Sequence, residues 1–349
     1  MTAIWYGILT FMLVNFVVLE GFDIGAGMLQ YIVGKTEDER RLVITAIGPL
    51  WSWHEVWLVG FGGTLLLAFP AVLASSFAGF YLSLILLLWG LILRGVAMEV
   101  SGRLADPMWR TAWHVCFVGS NVLLAILIGA ALGNVLRGVP VDPDGKFALA
   151  FFTNFSPFGN VGILDWYTVS MAVLIVVAFA AHGANGLAHR TDGLVYDRSI
   201  RIAKFLWKVA GVLLAIVTME TWKVRPDFFS GLVHHFPGVV GAIAVTSGII
   251  ITFFALGKQQ TSRALTGSSI VLAGMVIAGA SGIFPVMLHS TLAPENSICA
   301  YGAAAAGNGL AAGLVWWPLA FVFAVGYFLF SYRYYSGKVS PIEDTQIPY

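Results

Sequence analysis

A chain of 349 residues that is 58% hydrophobic and only 11% charged, with a mean hydropathy of +0.85, has the composition of a membrane protein, since soluble domains carry about 25% charged residues. A net charge of +1 leaves no basic excess, and no Lys/Arg cluster is dense enough to hold nucleic acid, so that partner is excluded. Cys116 and Cys299 are too few and too isolated for a disulfide framework, and no Cys-x-x-Cys or Cys-x-x-Cys-His occurs.

The first apolar run covers about 3–33, longer than the roughly 20 residues a helix needs to cross a bilayer. The N-terminus lacks a positive n-region and the run is too long for a signal peptide, so it reads as a retained span. Within it the stretch Glu20-Gly-Phe-Asp-Ile-Gly-Ala-Gly-Met-Leu29 carries two acids, Glu20 and Asp23. An ionised carboxylate at hydrocarbon depth costs on the order of 3 kcal/mol or more, so Asp23 should face protein or water. Gly21 and Gly25 are four apart and leave one helix face bare, which invites a close neighbour beside Asp23. Two readings fit: a functional intramembrane acid, or a helix end with snorkelled charges.

The second run, about 53–72, is opened by Gly48-Pro-Leu-Trp-Ser-Trp-His-Glu-Val-Trp-Leu58. Ser52 and Glu55 are three apart and share a face. The short connection 34–47 keeps the first two spans adjacent, so Glu55 is expected within a water or two of Asp23. His54-Glu55 is not a zinc-protease motif, because position 58 is Leu. His54 reads either as a relay that titrates near neutral pH or as a packing histidine. Trp51, Trp53 and Trp57 can form an interfacial aromatic belt, which is the favoured reading for Trp53; Trp57 and Arg94 are assigned to helix packing.

Further apolar segments follow at about 76–97, 112–136, 164–186, 202–220, 237–256, 264–288 and 309–332, which makes nine spans. The longest connection, about 137–163, contains Pro140, Asp142, Pro143, Asp144 and Gly145, which is turn chemistry rather than a calcium loop. No metal site is expected. Gly129 and Gly133 form a second small-residue face suited to packing. His114, His182, Lys208 and Glu220 have packing or interfacial contact as their simplest reading, and His234-His235 reads as solvated. Of the 19 Lys and Arg residues, 15 fall on one side of a nine-span topology and 4 (Arg137, Lys146, Lys223, Arg225) on the other. The positive-inside rule then puts the N-terminus outside and the C-terminus in the cytoplasm. The expected fold is an all-α integral membrane protein, one polytopic domain over 1–349.

The ordered motifs carry a family resemblance. Gly21-Phe-Asp-Ile-Gly-Ala-Gly-Met-Leu29, Gly48-Pro-x-Trp51 and Glu55-Val-Trp-Leu58 resemble subunit II of the cytochrome bd-type quinol oxidases. So do Gly62-Gly63, Ala68-Phe69-Pro70, Arg94-Gly-Val-Ala97, Trp109-Arg110, Gly133-Asn134, Gly138-Val-Pro140, His182-Gly-Ala184, Phe284-Pro285 and Gly337-Lys-Val339, in the same order. The resemblance implies two four-helix bundles plus one peripheral helix. It implies a complex, in a bacterial or archaeal cytoplasmic (inner) membrane, that oxidises quinol and reduces dioxygen to water. Haem b, haem d and the catalytic groups would belong to subunit I, the larger partner in a heterodimer that small accessory subunits can join. This chain would hold no firmly bound cofactor, and a structural quinone is left open. Asp23 matches the acid of Gly-Phe-Asp-Leu-Gly and Glu55 the acid of Asn-Glu-Val-Trp-Leu, so Asp23, Glu55, Glu20, His54 and Ser52 are the candidates for cytoplasmic proton entry.

The sequence also departs from the family pattern. Where Trp-Asp-Gly-Asn-Glu is common, this chain has Trp51-Ser-Trp-His-Glu55, so Ser52 replaces an acid, Trp53 a glycine and His54 an asparagine. Trp113-His114 stands for a common Trp-Asp, and Ser101 for an arginine. Two other classes share some of these features: a self-contained b-type cytochrome using His114 and His182, and a secondary transporter with broken helices.

Overall fold

Near-continuous apolar sequence makes helices here, because inside a bilayer each backbone N–H and C=O must be satisfied within its own segment. The structure, a computed structural model, describes residues 1–335 and 337–339; Tyr349, the C-terminus whose side the charge count addresses, lies outside them. The first half of the chain forms α1 (Thr2–Met28), α2 (Gln30–Val33), α3 (Glu37–Ile47), α4 (Trp51–Ala68), α5 (Pro70–Gly79), α6 (Tyr81–Val100) and α7 (Pro107–Arg137). The second half forms α8 (Trp166–Arg190), α9 (Gly193–Val224), α10 (Asp227–His234), α11 (Phe236–Gly257), α12 (Thr261–Ile283), α13 (Ala300–Ala303) and α14 (Gly307–Tyr334). A small antiparallel ribbon, β1 (Val286–Leu288) with β2 (Ile298–Cys299), is tucked before α13.

Among the described residues eight helices are long and apolar enough to span a membrane, or nine if α3 and α4, bent by 45° to one another, make one span. That agrees with the nine spans read from the sequence. The boundaries differ where local chemistry intervenes. The run 53–72 is cut at Phe69, before Pro70, which starts α5 as its first residue; proline has no N–H for the preceding turn. The connection 34–47 is not a plain loop, because 37–47 is helical: Thr36 accepts from the Glu39 backbone and the Glu39 side chain reaches back, a full capping box.

Helices α1, α4, α6 and α7 pack as one bundle and α8, α9, α11 and α12 as the other, with α1 and α7 both lying against α8. α8 is the central element, with 83% of its apolar window buried, whereas the window of α14 has none of its residues buried. α14 is the peripheral helix. It is held along α4 by Trp53, tilted at 34° against Tyr327 with 4.0 Å between ring centroids, and near α1 by the Trp5 indole donating to the Leu310 carbonyl at 3.2 Å. Trp53 therefore docks a helix, where its sequence position suggested an interfacial belt.

Small residues set the closest helix contacts. A Cβ on Gly21 would stand 3.1 Å from the Phe179 ring, and one on Gly25 would run into the Phe179 carbonyl oxygen. The neighbour invited by this glycine face is thus α8, whose own Gly183 meets Gly25 and Ala26. Gly129 and Gly133 do the same for α7, facing the backbone of Ala172 and Thr168. Without a hydrophobic drive between helices in lipid, such approach is what lets dispersion hold the bundles together.

At the end of the molecule away from Asp23, Arg137 is buried and donates to the carbonyl oxygens of Gly138 and Gly162, to Asn134 Oδ1 at 2.7 Å, and to the Asp165 carboxylate. This clamp pins the connection between α7 and α8. Within it Asp142 and Lys146 close a turn, the Asp142 side chain accepting from the Lys146 backbone at 2.8 Å.

Candidate functional site

The C-terminal part of α1, the start of α4 and the last turns of α6 meet at one end of the first bundle, and each brings ionisable side chains inward. α1 supplies Glu20 and Asp23, three residues apart and so on adjoining positions of one face. α4 supplies His54 and Glu55, and α6 supplies Arg94. Glu20 is 0%, Asp23 1%, Arg94 1% and His54 4% exposed, a degree of burial that charged groups tolerate only when paired.

The pairing is specific. His54 Nδ1 and Asp23 Oδ2 lie 2.6 Å apart. Arg94 reaches in the other direction, with Nη2 donating to Glu55 Oε1 at 2.6 Å and Nη1 against Glu20. The guanidinium is a planar fork that can serve two carboxylates at once, and here it ties α1, α4 and α6 together. Three carboxyls thus face one permanent cation and one imidazole. Charge neutrality, which a low-dielectric interior favours, is reached only when the cluster holds two further protons. One can sit between His54 and Asp23 and one on an acid.

The positions of the candidates refine what the sequence suggested. Asp23, Glu20, His54 and Glu55 do come together. Glu55, expected beside Asp23, is bound to Arg94, and it is His54 that takes the place at Asp23. Arg94, assigned from sequence to helix packing, is the central cation of the cluster. The signal for this was present: an arginine inside the apolar run 76–97 needs a carboxylate partner in the membrane interior. Ser52 does not join. It is exposed on α4, so the position that replaces the family's second acid lies outside the buried network. Trp57 is buried as a packing residue, edge-on to Phe11 at 6.0 Å, and Gly21 and Gly25 seat α8.

His182 has both ring nitrogens engaged, Nδ1 with Ser268 Oγ at 2.7 Å and Nε2 with the Val18 carbonyl at 3.0 Å. His114 is buried at the start of α7, with Nδ1 3.7 Å from Glu37 Oε2. The α3 acid that faces it was missed in the sequence, where 34–47 passed as a connection.

With this geometry in place, comparison with known proteins is decisive on ancestry. The chain is 28% identical to the probable cytochrome oxidase subunit 2 of Haemophilus influenzae, with 96% of this chain and 94% of that protein covered. It is 28% identical to the cytochrome bd-I ubiquinol oxidase subunit 2 of Escherichia coli strain K12, covering 86% and 85%. It is likewise 28% identical to the cytochrome bd ubiquinol oxidase subunit 2 of Bacillus subtilis, covering 83% and 82%. Among solved structures, the bd oxidase from Geobacillus thermodenitrificans shares the fold, with a TM-score of 0.71 at 15% identity over 95% of this chain and 98% of that one. The sequence profile of the cytochrome bd terminal oxidase subunit II family matches residues 1–335, and the chain belongs to that family.

Proposed function

We propose that this chain is the subunit II of a quinol oxidase complex in a bacterial inner membrane, packed against a haem-bearing subunit I and supplying it with protons from the cytoplasm. The observation that carries the second half is the buried cluster, in which Asp23–His54 and Glu20–Arg94–Glu55 bring five ionisable groups inside the membrane at one end of the bundle. Reduction of dioxygen to water consumes protons along with electrons, and buried acids that face protein are the usual stations of intramembrane proton relays. The relatives named as ubiquinol oxidase subunits support quinol as the electron donor.

A haem held between His114 and His182 does not fit, because both ring nitrogens of His182 are engaged. His182 has no nitrogen to offer iron, and His54 is bound to Asp23. This favours placing haem b and haem d in the partner. Co-expression with the adjacent membrane subunit should give a complex whose visible spectrum carries the haems, while the chain purified alone should show no Soret band. A stoichiometric Soret band from the chain alone overturns the accessory role.

The 15-to-4 division of Lys and Arg supports the cluster's end as the cytoplasmic one. A reporter enzyme fused after Tyr349 is expected to be active in the cytoplasm and silent outside, and the reverse result places the cluster at the wrong surface for proton entry.

A further inference from the structure

The second bundle is not closed on all sides. α9 lies close along α8 and α11 close along α12, but α9 and α11 meet only sparsely. Between them runs a narrow crevice lined by Ala178, Trp207, Ala210, Gly211, Ile249 and Val271. Its walls are apolar, and they are barest at Gly211, where an added Cβ would meet nothing within 4 Å. Val212 on α9 and Ile250 on α11 are exposed on its flanks, so the slot opens sideways onto apolar surface. One of its lining side chains is incompletely satisfied. Trp207 is 2% exposed, and its indole Nε1 has no acceptor among the described residues, whereas a buried indole N–H normally finds one.

Toward one end of the crevice the chemistry changes. At a rise of 1.5 Å per residue, Lys204 stands about 10.5 Å beyond Gly211 on α9, Lys258 about 13.5 Å beyond Ile249 at the end of α11, and Arg263 about 12 Å beyond Val271 on α12. The three cations therefore share one level. Lys204 is on the crevice side of α9, because positions 204, 207 and 211 follow at steps of three and four. It is half-buried, while Lys258 and Arg263 are exposed. Arg263 donates to Gln260 Oε1 at 2.9 Å, and no carboxylate among the described residues neutralises any of the three. α8, α11 and α12 carry no acid. On α9 the acid nearest to Lys204, Asp197, is about 10.5 Å further out.

An apolar slot in a membrane-spanning bundle that ends on a ring of cations matches one kind of molecule. Lysine and arginine lay their stems along apolar surface and carry their charge to the membrane interface, where lipid phosphates lie. We propose that the crevice binds one anionic phospholipid. An acyl chain lies in the slot over Gly211, the phosphate sits among Lys204, Lys258 and Arg263, and a glycerol ester carbonyl accepts from Trp207 Nε1. Trp207 is about 4.5 Å from Lys204 toward the bilayer centre, and ester and phosphate follow one another in that same order along a phospholipid. The lipid would fill the gap that α9 and α11 leave, and so tie the pair α8 and α9 to the pair α11 and α12. A zwitterionic lipid or an isoprenoid tail would use the slot but not the cations, and a helix of another protein is too wide for it.

The test uses the assembled complex in detergent, with bound lipid counted by native mass spectrometry and phosphatidylglycerol or phosphatidylcholine added as the probe. Gly211→Phe fills the slot from a position where the backbone leaves room. The unmodified complex should therefore retain one phosphatidylglycerol more than Gly211→Phe. Each lysine near an anionic surface contributes about fivefold, so Lys204→Gln combined with Lys258→Gln should weaken phosphatidylglycerol binding by roughly tenfold or more and leave phosphatidylcholine unchanged. Equal affinity of the unmodified complex for the two lipids overturns the proposal. So does retention of phosphatidylglycerol by Gly211→Phe, or by the double lysine variant, at the level of the unmodified complex. Should these variants fail to assemble, a map of the unmodified complex in phosphatidylglycerol nanodiscs decides. Chain density over Gly211 that continues to a phosphate beside Lys204 supports the site. An empty crevice, an isoprenoid chain or a protein segment in it overturns the site.

Discussion

Replacing Asp23 with asparagine is expected to lower quinol-driven oxygen consumption per haem by roughly tenfold or more, the scale on which positioned acid–base groups act, while leaving the haem content of the complex intact. The amide keeps the shape of the carboxyl and still offers His54 Nδ1 an acceptor, so the 2.6 Å contact survives as a hydrogen bond. What disappears is the exchangeable proton. A purely structural Asp23 predicts the opposite pattern: less assembled complex and less haem, with normal turnover for each haem that remains. Glu55→Gln is the companion measurement. Its side chain is 24% exposed and already bound to Arg94, so its effect should be smaller than that of Asp23→Asn. Normal turnover per haem in both variants would leave this chain as a scaffold.

Arg94→Met should have the largest effect on assembly. Methionine fills a similar volume, but Glu20 and Glu55 then lose their common cation while Glu20 stays fully buried. Removing one side of a buried ion pair costs about 3–5 kcal/mol, and here three helices are released at once. The expected result is a sharp fall in the yield of complex recovered by size exclusion after detergent extraction. Adding Glu20→Gln to Arg94→Met should recover part of it, since it removes the uncompensated charge. Arg94→Lys should be intermediate, because an ammonium is a point charge and cannot fork between two carboxylates. Recovery of Arg94→Met at the level of the unmodified protein would show that the cluster is solvated and that Arg94 contributes no net stability.

These expectations show why the cluster was only half visible from residue order. Asp23 and Glu20 stand out in an apolar run because a carboxylate at membrane depth is costly wherever it points. That cost is a property of the residue and its depth, which local sequence reveals. Choosing the partner of each acid requires the rotation of three helices about their axes. A shift of one residue turns a helical side chain by about 100°, and that is the difference between Glu55 and His54 at Asp23.

The sequence by itself determined the membrane class, the span count, the small-residue faces at Gly21, Gly25, Gly129 and Gly133, and the family. Each depends on hydropathy, short-range spacing or ordered motifs, which survive without coordinates. Only the tertiary structure decided that α8 fills the Gly21–Gly25 face, that Arg94 bridges Glu20 and Glu55, that His54 takes Asp23, and that Ser52 stays outside. In lipid the hydrophobic effect does not rank one helix neighbour over another; close packing and the pairing of buried charges do, and both exist only once the helices are in place.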